Sequence, residues 1–173
     1  MTVANPCLSG GTLEIFLQAT IPPALVHVLG DSPIARALER IGTAMGYEVD
    51  RTTDPAAPIA PDTGAVVVAS HGRAEQPLLA SALAADVPYV ALVASRRRGA
   101  AVLAALDRPP AEKARVRTPA GLDIGARTAP EIAVSILAEL VAQRRAGAAV
   151  PVMDPAAVPV STPAAEAEAC CHA

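Results

Sequence analysis

The sequence predicts an α/β fold in which a mostly parallel sheet is covered by helices on both faces, giving three layers. Between Leu25 and about Gly147, short apolar runs alternate with helical patterns at the rhythm of strand-helix units. One run, AVVVAS at residues 65–70, is too apolar for a sheet with one wet face and indicates a central parallel strand. The chain has 173 residues and is 52% hydrophobic, which is enough to bury one core.

The first predicted unit is a strand followed by a well-marked helix. Residues 25–29 (LVHVL) form the strand, and the helix begins after Ser32 as N-cap with Pro33 in its first position. Gly46 ends that helix. The remaining predicted elements are strands at 47–50, 65–70 and 87–95 and helices at 75–86, 96–108 and 128–147.

The last helix carries two local signals. Thr128 and Glu131 have the spacing of a capping box, in which each side chain bonds the backbone N–H of the other residue. An apolar stripe follows at Ile132, Ile136, Leu137, Leu140 and Val141. We therefore expect this helix to pack against the sheet as part of the core.

Both ends of the chain differ in composition from the central region. Residues 1–24 contain LEIFLQA, whose alternation predicts a short strand that Pro22 and Pro23 end. From Ala148 onward the chain is dominated by Ala, Pro and Val without a period, which predicts a disordered tail. The predicted organisation is thus an N-terminal segment (1–24), one α/β domain (25–147) and a tail (148–173).

Charge and hydropathy exclude two classes of partner. A formal charge of −3 gives no basic face for nucleic acid. No apolar run approaches the roughly 20 residues needed to span a bilayer, and the N-terminus lacks the features of a signal peptide. We expect a cytoplasmic protein that binds neither nucleic acid nor membranes.

The chain has three cysteines, at Cys7, Cys170 and Cys171, and no spacing typical of a disulfide framework. Cys7 lies near two glycines, where a thiolate could carry sulfur, although an inert thiol is the simpler interpretation. Cys170 and Cys171 with His172 offer soft ligands but lack the Cys-x-x-Cys pitch, so no metal site is predicted. No Ser-His-Asp or paired-carboxylate pattern indicates catalytic residues.

The turn after the first strand resembles a dinucleotide-binding motif that has lost glycines. Where Gly-x-Gly-x-x-Gly is expected, the chain has Gly30, Ser32 and Ala35. Ser32 places a side chain where a pyrophosphate would touch backbone, and Asp31 adds negative charge, so NAD(P) binding is not expected. The helix N-terminus still offers N–H groups and a positive dipole end to a phosphate, and a turn that binds nothing is the alternative.

A second candidate site follows the fourth predicted strand. Ser95 is followed at once by Arg96, Arg97 and Arg98 where the strand passes into a helix. Cations in the first turn of a helix oppose its macrodipole by about 0.3–1 kcal/mol each. A phosphate or pterin-phosphate ligand would offset that cost at the carboxyl end of a parallel strand. Pairing of the arginines with acidic residues elsewhere is the alternative.

The loop before the last helix is the third candidate. Gly121 and Gly125 flank Asp123 in the segment AGLDIGA, which could present backbone N–H groups to a ligand. A buried loop that closes the edge of the sheet is an equally simple interpretation.

Four segments together resemble the XdhC/CoxI family, which comprises accessory proteins of molybdenum hydroxylases such as xanthine dehydrogenase and carbon monoxide dehydrogenase. They are NPCLSGGTLEIFL, VLGDSPIARAL, SRRR and PAGLDIGARTAPEIAVSILAEL, and the resemblance runs from about Cys7 to Arg145, closest to short, CoxF-like members. It implies a Rossmann-like domain that binds molybdenum cofactor (molybdopterin) transiently, while a cysteine desulfurase supplies the sulfido ligand. It also implies delivery of the cofactor to the apo-hydroxylase by a protein that is not itself an enzyme.

The chain departs from the family pattern in three places. Members usually have a fuller glycine turn, where this chain has Gly30, Ser32 and Ala35. Longer members have a separate N-terminal domain, of which only CLSGGTLEIFL remains here. The resemblance therefore implies that half of the cofactor pocket is missing or supplied by another chain, and the expected partners include a second copy of this chain or a separate N-terminal-domain chain. Members commonly have a Thr-His pair after the third strand, where this chain has Ser70 and His71. The resemblance implies that His71 could contact the pterin or a molybdenum oxo group; a hydrogen-bonded loop residue is the alternative.

The sequence and the resemblance predict a molybdenum-cofactor insertion factor. The phosphate of the pterin would lie at the helix start of Ser32 or at the turn 95–98, with the loop 121–125 closing over it. An NAD(P)-dependent oxidoreductase and a docking module without a small ligand are the two alternatives.

Overall fold

The computed structural model describes residues 23–72 and 74–147. The predicted N-terminal strand and the predicted tail lie outside these residues. In chain order the elements are β1 (Leu25–Leu29), α1 (Pro33–Ala44), β2 (Glu48–Thr52), β3 (Thr63–Val68), α2 (Glu75–Ala84), β4 (Tyr89–Leu92), α3 (Arg96–Ala105), α4 (Pro110–Lys113), β5 (Val116–Arg117) and α5 (Ala129–Gly147).

The described strands form one five-stranded sheet in the order β2-β1-β3-β4-β5. Every neighbouring pair is parallel, and β3 is the middle strand, as its apolar sequence predicts. Helices connect β1 to β2, β3 to β4 and β4 to β5, whereas residues 53–62 join β2 to β3 without a helix. The predicted three-layer, mostly parallel α/β fold is confirmed.

The core divides into two layers because side chains alternate along each strand. Val26 and Val28 of β1 face the layer of α1 and α5, whereas Leu29 faces the layer of α2 and α3. Tyr89 of β4 is fully buried on the side of α1 and α5. Apart from Tyr89, the buried core that the structure describes consists of aliphatic side chains, in keeping with an aromatic content of 2%.

The turn from β1 into α1 has the local features that the sequence predicts. The Ser32 side chain accepts a hydrogen bond from the backbone N–H of Ala35 at 3.1 Å, and Pro33 opens the helix. Gly30 has φ of +127°, and a Cβ there would lie 2.5 Å from the carbonyl oxygen of Ala69. The glycine lets this turn pack directly on the end of β3.

Two elements, α4 and β5, are not predicted by the sequence pattern. β5 has two residues, too few for a recognisable alternation, and α4 is one short turn before it. The strand predicted over 87–95 shortens to β4, and the helix predicted over 96–108 ends as Leu106 becomes extended and buries its side chain. None of the helices in the described part of the chain is long and apolar enough to cross a bilayer.

Candidate functional site

An open cleft of about 950 Å³ lies where the chain leaves the carboxyl ends of β4 and β5. One wall is the segment 93–96, which ends β4 and begins α3. The loop 117–126 and three residues of α5, Ile132, Ser135 and Glu139, form the other walls. The carboxyl edge is where open parallel sheets bind their ligands, so this cleft is the candidate site.

The first turn of α3 opens into the cleft. The Ser95 side chain caps the helix by accepting a hydrogen bond from the backbone N–H of Arg98 at 3.3 Å. The first turn contains no acidic residue, and the first N–H groups of a helix lack partners within it. Arg96 is exposed and lines the cleft, whereas the equally exposed Arg97 is not part of the lining. The turn therefore offers an anion one arginine and a positive helix end.

Arg98 also lines the cleft, but it is paired with an acidic residue of the protein. Its guanidinium donates to the two carboxylate oxygens of Glu75 at 3.0 and 3.2 Å and to the carbonyl oxygen of Val93 at 2.9 Å. The Glu75 side chain is only 3% exposed, so the pair satisfies a buried carboxylate. Arg98 therefore follows the alternative interpretation, in which the arginines pair with acidic residues elsewhere in the chain.

His71 lies in a loop with unusual backbone geometry between β3 and α2. His71 and Ala74 have φ of 56° and 47°, in the left-handed region that residues with a Cβ seldom adopt. Glu75 stabilises the loop by accepting hydrogen bonds from Ser70 Oγ at 3.2 Å and from the backbone N–H of Gly72 at 2.9 Å. His71 is exposed and lines the cleft, so the loop brings it to the site.

The loop 117–126 is fixed to α5. The backbone N–H of Gly121 donates to Glu139 Oε2 at 2.8 Å, and that of Leu122 donates to the Ser135 carbonyl oxygen at 3.2 Å. Gly121 has φ of +97°, and a Cβ there would clash with Ser135 Oγ. Asp123 and Gly125 follow in the cleft wall. The loop is thus a wall docked on α5. Its residues 122–125 are exposed, so the buried-loop interpretation is wrong, and the N–H groups of Gly121 and Leu122 are bonded to α5.

Glu139 and Tyr89 complete the site and were not singled out from the sequence. The Tyr89 hydroxyl donates to Glu139 Oε2 at 2.8 Å. Burial, and then the hydrogen bond to Glu139, raise the pKa of Tyr89 far above its usual value, so the hydroxyl stays protonated. The available signal was the polar pair Ser135 and Glu139, four residues apart on a helix whose apolar stripe we assigned to the core.

Five candidate residues lie outside the cleft lining: Gly30, Asp31, Ser32, Ala35 and Arg97. Asp31 forms ion pairs with Arg36 at 2.7 Å and with Arg51 at 2.8 Å, and the hydrogen bond from Arg36 lowers the pKa of Asp31. Ser32 is buried under the start of α1. Of the two helix starts considered for a phosphate, the one at Ser95 is therefore the one that faces the cleft.

Within residues 23–72 and 74–147, no three His, Cys, Asp or Glu side chains meet in a way that could hold a metal ion. Cys7, Cys170, Cys171 and His172 lie outside the described residues.

Comparison with known proteins gives a family match. Residues 26–140 match the family model described as the XdhC Rossmann domain. A solved structure described as a xanthine dehydrogenase from Bacillus halodurans has the same fold, with a TM-score of 0.62 at 23% sequence identity. The similarity covers 76% of this chain and 48% of that one, so the chain spans about half the length of that structure. A search of curated proteins found no match.

Proposed function

The chain belongs to the XdhC family through its Rossmann domain, and from this membership and the cleft we propose that it binds molybdenum cofactor and inserts it into a molybdenum hydroxylase such as xanthine dehydrogenase or carbon monoxide dehydrogenase. The cofactor is cargo that the protein holds and passes on. The chain is then an accessory protein, a chaperone of the hydroxylase rather than an enzyme. The single observation that carries the proposal is the cleft beside the arginine-bearing start of α3.

The residues of the cleft fit this cargo. Its volume of about 950 Å³ is in the range of small-molecule sites. The start of α3 and Arg96 suit the phosphate of the pterin, since a helix N-terminus and a guanidinium both favour an anion. Glu139, at the α5 wall, is an acceptor for the N–H groups of a pterin ring.

We assign each candidate residue a role that its position allows. Arg96 and the first N–H groups of α3 contact the phosphate, and Ser95 holds that turn in shape. The loop of Gly121, Asp123 and Gly125 forms the wall along the ring. His71 contacts the ring or a molybdenum oxo group. Bound at these residues, the cargo supplies the redox centre that the hydroxylase uses after transfer.

Transfer requires a partner to cover the mouth of the cleft. Leu122 and Ile124 in the cleft wall are 43% and 56% exposed, and such apolar side chains favour a protein contact. We propose that the apo-hydroxylase docks there. A cysteine desulfurase, and a second chain carrying the family's N-terminal domain, are the further partners that the proposal includes.

Purification from cells that make molybdenum cofactor tests the proposal. We expect molybdenum and pterin to copurify with the protein, and the loaded protein to activate an apo-hydroxylase. A protein that binds neither molybdenum nor pterin, even when it is incubated with saturating cofactor, would contradict the proposal. Titration with NAD(P) separates it from the oxidoreductase alternative, in which the nucleotide binds. If the chain is instead a docking module, it binds the hydroxylase but neither molybdenum cofactor nor NAD(P).

A further inference from the structure

The two carboxylate oxygens of Glu139 differ in the hydrogen bonds that they accept. Oε2 accepts two hydrogen bonds, from the Tyr89 hydroxyl and from the backbone N–H of Gly121, both at 2.8 Å. Oε1 receives no hydrogen bond from the residues that the structure describes, and Glu139 lines the cleft. The carboxylate is therefore held in one orientation with one acceptor left over for a ligand.

We propose that Glu139 recognises the 2-amino-pyrimidinone edge of a pterin, an inference that rests on the proposed function. This edge presents adjacent N–H donors, the ring N3–H and the exocyclic 2-amino group. An ionised carboxylate is an acceptor only, and its hydrogen bonds are stronger than those of neutral acceptors. Glu139 thus selects a ring with a donor edge over one that carries an oxygen at the same place.

The rest of the cleft supports this assignment through its charge distribution. Arg96, Arg98 and the positive start of α3 lie on the wall that follows β4, and Glu139 lies on the α5 wall. Arg117 of β5 and Asp123 of the following loop also line the cleft. A ligand with a phosphate at one end and an N–H edge at the other matches both walls. A nucleotide-like ligand with acceptors along its ring edge would meet an oxygen of Glu139 unfavourably.

The surroundings of Glu139 also determine which of its two oxygens is left for a ligand. Tyr89 is fully buried, and its raised pKa keeps the hydroxyl a donor to Oε2. The Gly121 N–H makes the second bond to the same atom. A glutamine at this position can keep both bonds through its amide oxygen, and it would then turn an NH₂ group, a donor, toward the ligand.

The change from an acceptor to a donor in Glu139→Gln gives the test. The probes are a pterin monophosphate and the matching lumazine monophosphate, in which an oxygen replaces the 2-amino group. We expect the parent protein to bind the pterin at least tenfold more tightly than the lumazine. Glu139→Gln should lower pterin affinity at least tenfold and shift the preference toward the lumazine. Glu48→Gln, the same charge change on the exposed edge of β2, should leave both affinities unchanged.

The outcomes separate this inference from the proposed function. If the parent binds both probes equally, and Arg96→Glu weakens both, the cleft binds a pterin phosphate but Glu139 does not read the ring, and the inference is wrong. Equal weakening of both probes by Glu139→Gln would also overturn it, because a structural role of Glu139 predicts that result. A parent that binds neither probe contradicts both this inference and the proposed function.

Discussion

The guanidinium of Arg98 binds both carboxylate oxygens of Glu75, with the closer nitrogen 3.0 Å from its oxygen partner. Glu75 opens α2 and Arg98 lies in the first turn of α3, so the pair joins the connections that follow β3 and β4. It also neutralises one of the three consecutive arginines. Arg96 and Arg98 both line the cleft, but Arg98 is paired with Glu75, which leaves Arg96 to meet a ligand.

Loss of this pair should destabilise the domain. Arg98→Met leaves the buried Glu75 carboxylate without its cation, and we expect a loss of roughly 2–3 kcal/mol in the free energy of unfolding. The loss is smaller than for a fully buried pair because the Arg98 side chain is 33% exposed. Arg97→Met is the matched control, with a change below about 0.5 kcal/mol. Urea denaturation measures both, and equal effects of the two variants would contradict the assignment.

Much of the fold follows from local signals along the chain. The Ser32 cap and the capping box of Thr128 and Glu131 depend on residues three positions apart, and both form as predicted. The central strand β3 was recognisable because a parallel strand covered on both faces is apolar throughout. Elements of two to four residues, β5 and α4, carry no period and were missed.

The site was less predictable because its contacts join distant parts of the chain. Glu75 and Arg98 are 23 residues apart, and Tyr89 and Glu139 are 50 residues apart. A single sequence gives the residue types at strand ends but not which of them meet. The sequence could therefore place Ser95 and Arg96 at the carboxyl end of a strand. The structure was needed to show that Arg96 lines the cleft and Arg97 does not.

Gly30→Ala should be markedly destabilising. The new Cβ would lie 2.5 Å from the Ala69 carbonyl oxygen at a φ of +127°, so the clash adds to backbone strain. We expect a loss of about 2 kcal/mol or more. Gly46→Ala isolates the backbone cost, since φ there is +84° and nothing lies within 4 Å of the added atom. Thermal unfolding should show a loss of about 1 kcal/mol for this control. A Gly30→Ala variant as stable as the control would disprove the close packing.

Gly121→Ala should disturb the cleft more than Gly125→Ala. Both glycines have positive φ, but only at Gly121 would a Cβ meet Ser135 and the backbone of Ile136. We expect Gly121→Ala to displace the loop from Glu139 and to lower ligand affinity by tenfold or more, with a small effect for Gly125→Ala. Titration with a pterin monophosphate measures this difference. Equal affinities of the two variants would show that the loop need not be docked for binding.

The capping box makes the start of α5 sensitive to acid. Hydrogen bonds from the backbone N–H groups of Thr128 and Arg127 lower the pKa of Glu131 below its usual value of 4.5. Because the pKa is lowered in the folded state, the ionised side chain stabilises the helix start above pH 4.5, and this stabilisation is lost as the pH falls through the lowered pKa. Glu131→Gln should therefore be less stable than the parent at pH 7, with a difference that shrinks below pH 4.5. A constant difference from pH 7 to pH 3 would argue against a role for the charge.

The central claim, that the cleft beside Arg96 holds the cofactor, is tested most directly by a pair of adjacent charge reversals. Arg96→Glu and Arg97→Glu make the same change on neighbouring exposed residues, but only Arg96 lines the cleft. After purification from cells that make molybdenum cofactor, bound molybdenum and pterin are measured in the parent and in both variants. We predict that Arg97→Glu retains both and that Arg96→Glu loses at least nine-tenths of each. Equal retention by Arg96→Glu and the parent would place the cofactor elsewhere and contradict the account.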